Sequence, residues 1–296
     1  YQGRIIMHKK EITSMASLYA ISPVHAGSGM STGAVDLPIQ RERHTNWPHI
    51  QASAVKGAMR AHFRNYAREK DSINKIFGSD NQDRGYEGHD GEIPGSISVS
   101  DAKLLAFPVR SNIAPFVMVT SPAVLKRFQN DLLMAGFSDE ITLPILENEN
   151  DAVMLNWQKT HGKILLEDAV VVDVTVTVDI PFLTQHFKDI EHLLLVSDTL
   201  FDHIVTNCTQ IQTQIKIDHE TGTAQAGALR YEEMLPSDTA LYVVMHYSRH
   251  SNDIQASMIR EFIETNIKDF MQVGGDETLG RGICKLDWIP GKDGDV

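Results

Sequence analysis

From Gln210 to Ile217 the chain alternates without a break, with Gln210, Gln212, Gln214 and Lys216 interleaved with Ile211, Thr213, Ile215 and Ile217. A period of two puts these sets on opposite faces of a β-strand and cannot lay either along one face of a helix. Asp218-His219-Glu220-Thr221-Gly222 is turn material, and Ala226 to Glu233 returns. The chain must therefore hold an antiparallel hairpin near 209–236, and any fold proposed for it must accommodate that unit.

Further strands are expected over Met15–Ile21, Ser96–Val109, Phe116–Thr120, Thr239–Tyr247 and Ile283–Ile289. The β-branched run Ile164–Val178 (ILLEDAVVVDVTVTV) reads as one buried strand. Helices are expected over Ala54–Tyr66 and His186–Asn207. Another starts at Ser121-Pro122, stops at Gly136, and buries Val124, Leu125, Phe128 and Leu132. A last one carries Ile254, Met258, Phe262, Ile263 and Ile267. Strands and helices mix without strict alternation, which predicts an α+β fold of ferredoxin-like type, with helices over one face of an antiparallel sheet.

No composition shift or repeat forces a boundary, so a single domain over 14–290 is expected, with insertions near 77–95 and 138–163. The first methionine is Met7, and 1–13 reads as an expression scar or a disordered end. The Gly- and Asp-rich stretch after Phe77 invites a calcium loop. Aligned from Asp80, however, its third, fifth and twelfth positions are Gln82, Arg84 and Gly91, too few carboxylates for that ion. Two cysteines fit a reduced, cytoplasmic protein, and no apolar run approaches a membrane span. A net charge of -12 bears on solubility rather than on any one groove. Between Gln40 and Arg64 Glu42 is the only acid, so a local basic surface remains open.

That basic region lies within Ser22–Arg64. Gly27, Ser28, Gly29, Ser31, Thr32 and Gly33 form a small-residue loop between His25 and Asp36. The run Arg41-Glu42-Arg43-His44 follows, then Ser53 as a helix N-cap, with Lys56 at the third helical position. Lys56, Arg60 and Arg64 recur every four residues and share one face. A lysine there opposes the helix dipole, which makes sense beside a bound phosphate; a solvated basic face is the alternative. A second glycine loop, Gly274 to Gly282 (GGDETLGRG), could cradle a phosphate or merely turn a hairpin. Hydrolase, zinc and dinucleotide fingerprints are absent. Acid-base or metal chemistry falls to isolated residues, of which His25 and Asp36 stand out by their place in the first glycine loop.

The blocks SPVHAGSG, GAVDLPIQRERHT, SAVKGAMR, GSISVSDAKLLAFPVRS, IKIDHETGTAQAGALRYEEMLP and VGGDETLGRG, in this order, resemble the RAMP superfamily. Within it they resemble the group forming the backbone of type III-B CRISPR (Cmr) effector complexes. The resemblance implies a modified ferredoxin-like (RNA-recognition-type) core with a protruding β-hairpin thumb. It also implies copies stacked helically along one guide RNA beside other Cmr subunits, and cleavage of complementary target RNA at regular intervals with a divalent metal, Mg or Mn. The family's essential loop Asp corresponds to Asp36, also the expected metal ligand, and its loop His to His25. The hairpin acid and Tyr are placed on Glu232 and Tyr231, with Glu233 equally eligible as the acid. RNA contacts are expected from Arg41, Arg43, His44, Ser53, Lys56, Gly57, Arg60, Gly275, Gly280, Arg281 and Gly282. Ala52 and Ala54 flank Ser53 where superfamily members often have glycine and serine. Two alternatives remain: a non-catalytic guide-binding scaffold, and a stand-alone endoribonuclease trimming CRISPR transcripts through His25 without metal.

Overall fold

The structure, a computed structural model, describes residues 12–63, 70–79, 94–157, 162–167 and 170–293. The chain opens with β1 (Ile12–Ala20) and a long loop, then β2 (His49–Ile50), α1 (Ala52–His62), α2 (Lys70–Phe77) and β3 (Ile97–Val99). The pair β4 (Ala102–Arg110) and β5 (Phe116–Thr120) follows, then α3 (Pro122–Met134), β6 (Asp151–Leu155), β7 (Gly162–Leu166) and β8 (Val170–Val178). Next come α4 (Pro181–His186), β9 (Leu193–Leu195), α5 (Asp198–Asn207), β10 (Gln210–Gln214) and β11 (Arg230–Met234). The last elements are β12 (Ala240–Tyr247), α6 (Ala256–Asn266), β13 (Asp269–Gln272) and β14 (Ile283–Asp293).

Among the described residues twelve strands make one sheet, in the order β13-β14-β1-β12-β4-β5-β9-β6-β8-β7, with β2 on β4 and β3 on β12. Its pairings are antiparallel except β5 with β9 and β6 with β8. The architecture is thus mixed α/β around a large, mostly antiparallel sheet. All eight residues of β12 are buried between β1 and β4, which makes this strand the centre of the core. The remaining two strands, β10 and β11, form a separate hairpin, paired from Gln210↔Met234 to Gln214↔Arg230.

Where capping and turn chemistry were explicit, the expected elements appear. Ser121 caps α3 by accepting from Val124 N, Pro122 opens the helix, and Gly136 takes φ 83° just beyond it. Elsewhere the chain departs from expectation. Ile164–Val178 is two antiparallel strands, since Glu167 turns the chain at φ 51°. The segment 138–163, expected to be an irregular insertion, contains β6, buried except for Asp151 at its edge, and the start of β7. His186–Asn207 is not one helix. Leu193 and Leu194 lie in β9, wedged between β5 and β6, and only α5 carries the helical face of Phe201, Ile204 and Val205. On α6 the buried residues are Ala256, Ile259 and Ile263, while Met258 is 54% exposed. The sheet begins at Ile12, inside the segment expected to be disordered. α2, unanticipated, closes the helical layer; Ser96 N donates to Ile76 O at 2.9 Å, so the chain returns beside the point where it left. Residues 80–93 and 64–69, including Arg64 and Tyr66, lie outside the described residues.

Candidate functional site

Two loops far apart in sequence converge on the β10–β11 hairpin, making a junction of three segments. The loop after β1 meets β11 through the bridge Leu37↔Glu232 and the residue just past its end through Val24↔Leu235. The glycine loop between β13 and β14 closes on the first loop, with Gly275 N donating to His25 O and Gly282 N to Pro23 O, both at 2.9 Å. Contact this close needs glycine. A Cβ on Gly274, whose φ is +87°, would stand 2.5 Å from His25 O.

Asp36, His25, Tyr231 and Glu232 all come together here. Asp36 N donates to Tyr231 O at 3.1 Å, and Tyr231 N donates to Asp36 Oδ2 at 2.7 Å. Among the described residues no protein donor meets Oδ1. Asp36 also lines a cavity of about 620 Å³ with Met30, Leu37, Ile215, Lys216, Leu229 and Arg230. Asp36 thus ties its loop to the hairpin through one oxygen and faces open space with the other. Tyr231 is 40% exposed.

His25 is held by both ring nitrogens. Nδ1 lies 2.8 Å from Glu233 O, and since a carbonyl only accepts, Nδ1 carries the hydrogen. Nε2 is left facing Glu232 Oε1 at 3.4 Å. A Cβ on Gly27 would come within 2.7 Å of that Nε2, so the bare backbone at Gly27 keeps the nitrogen approachable. Glu232 is 3% exposed, and its other oxygen accepts from Gln214 Nε2. Burial raises its pKa, His25 and Arg230 pull it down, and the Asp276 carboxylate beside it pushes it further up. Gly27→Ala should leave the fold intact but displace the imidazole from Glu232. Cleavage should fall by ~100-fold, the usual effect of misplacing a reacting group by about an ångström. Unchanged cleavage kinetics in Gly27→Ala would remove His25 from the reaction.

The carboxylate of Glu233, the equally eligible acid, is bonded to other groups. Its Oε1 accepts from Arg41 Nη2 at 2.6 Å and Thr209 Oγ1 at 2.8 Å, and its Oε2 from Ile39 N at 3.1 Å. Arg41 also donates through Nη1 to Asn46 O and Val205 O. Its guanidinium is therefore turned into the protein, whereas Arg43 and His44 are exposed.

The helix start also differs from expectation. The N-cap position of α1 is Gln51, not Ser53, and the Asp101 carboxylate accepts from Ala52 N at 2.7 Å. Lys56 consequently lies beyond the first turn. Its Nζ donates to Ile97 O at 3.3 Å, and burial, then Arg60, lower its pKa. Arg60 donates to Gly78 O and Asn74 Oδ1 at the end of α2, where carbonyls and the helix dipole favour a cation. Both side chains of the stripe thus bond to neighbouring elements. Ser53 and Gly57 stay exposed, as do Gly275 and Gly280, while Gly282 is buried. Arg281 reaches from the terminal loop to the Gln212 amide on the hairpin.

One residue not singled out from sequence belongs to this cluster. Asp276 adopts φ 58°, and its Oδ2 is buried with no hydrogen-bond donor facing it. Its place in a glycine-rich loop was the only signal. Among the described residues no three His, Cys, Asp or Glu side chains group to hold a metal. Mg²⁺ ordinarily takes one or two carboxylates and fills its shell with water and substrate phosphates, a pattern that Asp36 Oδ1 fits as a single ligand. No helix among the described residues is long and apolar enough to cross a membrane.

The fold and this three-segment junction define a RAMP protein: the profile of the RAMP superfamily matches residues 17–285, and the chain belongs to that superfamily. It is 34% identical over 284 residues to the CRISPR system Cmr endoribonuclease Cmr4 of Pyrococcus furiosus, covering 92% of this chain and 94% of the relative. It is also 26% identical over 308 residues to the CMR subunit Cmr4 of Saccharolobus solfataricus, covering 91% and 94%. Oligomeric Cmr4 from Pyrococcus furiosus superposes with a TM-score of 0.69 at 26% identity, over 95% of this chain and 98% of that one. A type III-B Cmr-beta structure in the apo state shares the fold at a TM-score of 0.76 and 23% identity, over 94% and 98%.

Proposed function

We propose that this chain is the repeating backbone subunit of a type III-B CRISPR Cmr complex, which holds guide RNA and cuts complementary target RNA. The observation that carries the proposal is 34% identity to the Cmr endoribonuclease Cmr4 across 92% of the chain. The junction of His25, Asp36 and Glu232 supports it by gathering groups suited to phosphodiester cleavage. On this reading β1, β12, β14 and β4 with α1 and α6 are the ferredoxin-like core, the β10–β11 hairpin is the thumb, and copies stack along the guide beside other Cmr subunits.

Cleavage by the RNA's own 2′-OH needs that oxygen aligned with the phosphorus, its proton removed, and the leaving 5′-oxygen protonated. His25 and Glu232 hold and move protons, and Asp36 orients the backbone through the cavity it lines. A divalent ion on Asp36 would stabilise charge on the phosphate. Reconstitution with guide and partners tests the whole reading: complementary RNA should be cut at regular intervals, and guide-less precursor should not. Precursor trimming without metal would favour the stand-alone processing nuclease.

Guide contact falls on the exposed backbone of α1 and the terminal glycine loop, where donors can meet phosphates without reading sequence. Gly57 lies mid-helix, and a Cβ added there would meet nothing within 4 Å, so nothing inside the chain requires glycine at this position. Gly57→Ala should stabilise the free subunit by ~1 kcal/mol through helix propensity. The same change should weaken guide binding by crowding the approaching backbone. Denaturant unfolding and filter binding together decide it: a more stable variant with unchanged guide affinity would take this helix out of the guide groove.

A further inference from the structure

We propose that Gln40 is a positioning residue of the cleavage site, its side-chain amide fixing the loop that carries His25 against the start of α1. Its consequence for cleavage rests on the endonuclease reading, but its basis is a set of hydrogen bonds within the chain. Gln40 Nε2 donates to Gly27 O at 3.1 Å, and Gln40 Oε1 accepts from Gln51 N at 2.7 Å. Gly27 is the residue whose bare backbone lies against His25 Nε2, and Gln51 is the N-cap position of α1.

The main chain of Gln40 repeats the same two attachments. Its N donates to Ala26 O at 2.8 Å, and its O accepts from His49 N at 3.2 Å. Backbone and side chain of one residue thus bond both to the first glycine loop and to the corner between β2 and α1. The amide can face only one way. A carbonyl only accepts and a backbone N–H only donates, so the nitrogen meets Gly27 and the oxygen meets Gln51. An ionised glutamate would keep the bond from Gln51 N but set an oxygen against Gly27 O. Methionine, close in shape, would serve neither side. Neighbouring polar groups are committed elsewhere: Asp101 accepts from Ala52 N, and Arg41 donates to Glu233, Asn46 O and Val205 O.

The place of Gly27 bears directly on the imidazole, since a Cβ there would stand only 2.7 Å from Nε2. The ring has little slack, with Nδ1 on Glu233 O at 2.8 Å and Nε2 facing Glu232 Oε1 at 3.4 Å. From the far side, Gly275 N holds His25 O at 2.9 Å, so the loop is gripped between the terminal glycine loop and Gln40. Gln40 touches no reacting atom; it sets how closely the Gly27 backbone approaches the ring. The same amide reaches the helix start assigned above to guide contact, so guide binding and imidazole placement share one fixed corner.

The test uses the assembled complex and the full free chain. Both bonds of the amide lie at the surface, so Gln40→Met should fold with a denaturant midpoint near that of the wild type. At saturating guide and target, single-turnover cleavage should fall ~10-fold. That is part of the ~100-fold cost of an ångström's misplacement, because Gln40 N still holds Ala26 O. Guide and target affinity should stay unchanged. Adding Gln40→Met to Gly27→Ala should cost little more than Gly27→Ala alone, since both act through the same backbone. In the free chain with nitrogen-15 histidine, the His25 ring signals, identified by their loss in His25→Gln, should shift in Gln40→Met. If Gln40→Met fails to fold, Gln40→Glu carries the same readouts with the bond from Gln51 N retained. A full cleavage rate or an unmoved His25 signal would overturn the proposal. So would a loss that multiplies in full with that of Gly27→Ala, or one confined to guide affinity, which would make Gln40 an RNA contact. A wild-type complex that cuts nothing would instead sink the endonuclease reading, while the His25 signal would still judge the tether.

Discussion

Complexes built with Asp36→Asn should assemble, bind guide and target as the wild type does, and cut target RNA at least ~100-fold more slowly, the lower end for losing an acid-base group. Asparagine can keep the bond that Asp36 Oδ2 accepts from Tyr231 N at 2.7 Å, so the loop stays pinned to the hairpin. What disappears is the charge, and with it the oxygen that faces the cavity beside Lys216 and Arg230. Single-turnover cleavage, measured with guide and target binding on the same preparations, separates the outcomes. Near wild-type cutting would assign Asp36 to the loop's architecture alone. Loss of assembly would lead to the same assignment by another route, since the Asp36–Tyr231 contact joins the first loop to the hairpin.

How much of this was legible in the sequence depended on whether the deciding interaction was local. The cap at Ser121, the stop at Gly136 and the alternation that forms β10 are decided within a few residues and are plain in the sequence, although the strand ends at Gln214 and does not run on to Ile217. β6, β9 and the break at Glu167 are not, because a buried strand and a buried helix turn look alike over short apolar runs. Leu193 and Leu194 became a strand only because β5 and β6 offered edges on either side.

The site followed the same rule. Asp36 and His25 stand out in the sequence by sharing one glycine loop. That the Glu232 carboxylate faces His25 while the Glu233 carboxylate does not is a matter of strand alternation: successive side chains of β11 point to opposite sides, one to the loop histidine and one to Arg41. Lys56 and Arg60 read as a phosphate stripe because helical periodicity cannot reveal that α2 and β3 lie alongside with carbonyls to satisfy. Asp276 was not legible because the carboxyl it perturbs, Glu232, lies on a strand far away in sequence.

Arg41 puts that distinction to a test with a large expected effect. The sequence assigned it to RNA by its place in a basic run; in the fold its Nη2 lies 2.6 Å from Glu233 Oε1, and the side chains are only 15% and 8% exposed. Arg41→Ala would leave the Glu233 carboxylate buried with only Thr209 and Ile39 N as donors. Breaking one half of such a pair typically costs ~3–5 kcal/mol, much of it the penalty of the stranded charge. The free subunit should therefore show a lower denaturant midpoint before any RNA is added. Combining Arg41→Ala with Glu233→Gln should cost much less than the two single losses summed, because the amide carries no charge to strand. If Arg41→Ala unfolds like the wild type and loses only guide affinity, with a shallower salt dependence, Arg41 belongs to the RNA and the ion pair is dispensable. A stability loss that the double variant relieves assigns it to the junction, holding the first loop, α5 and the hairpin strand in the register on which Asp36, His25 and Glu232 depend.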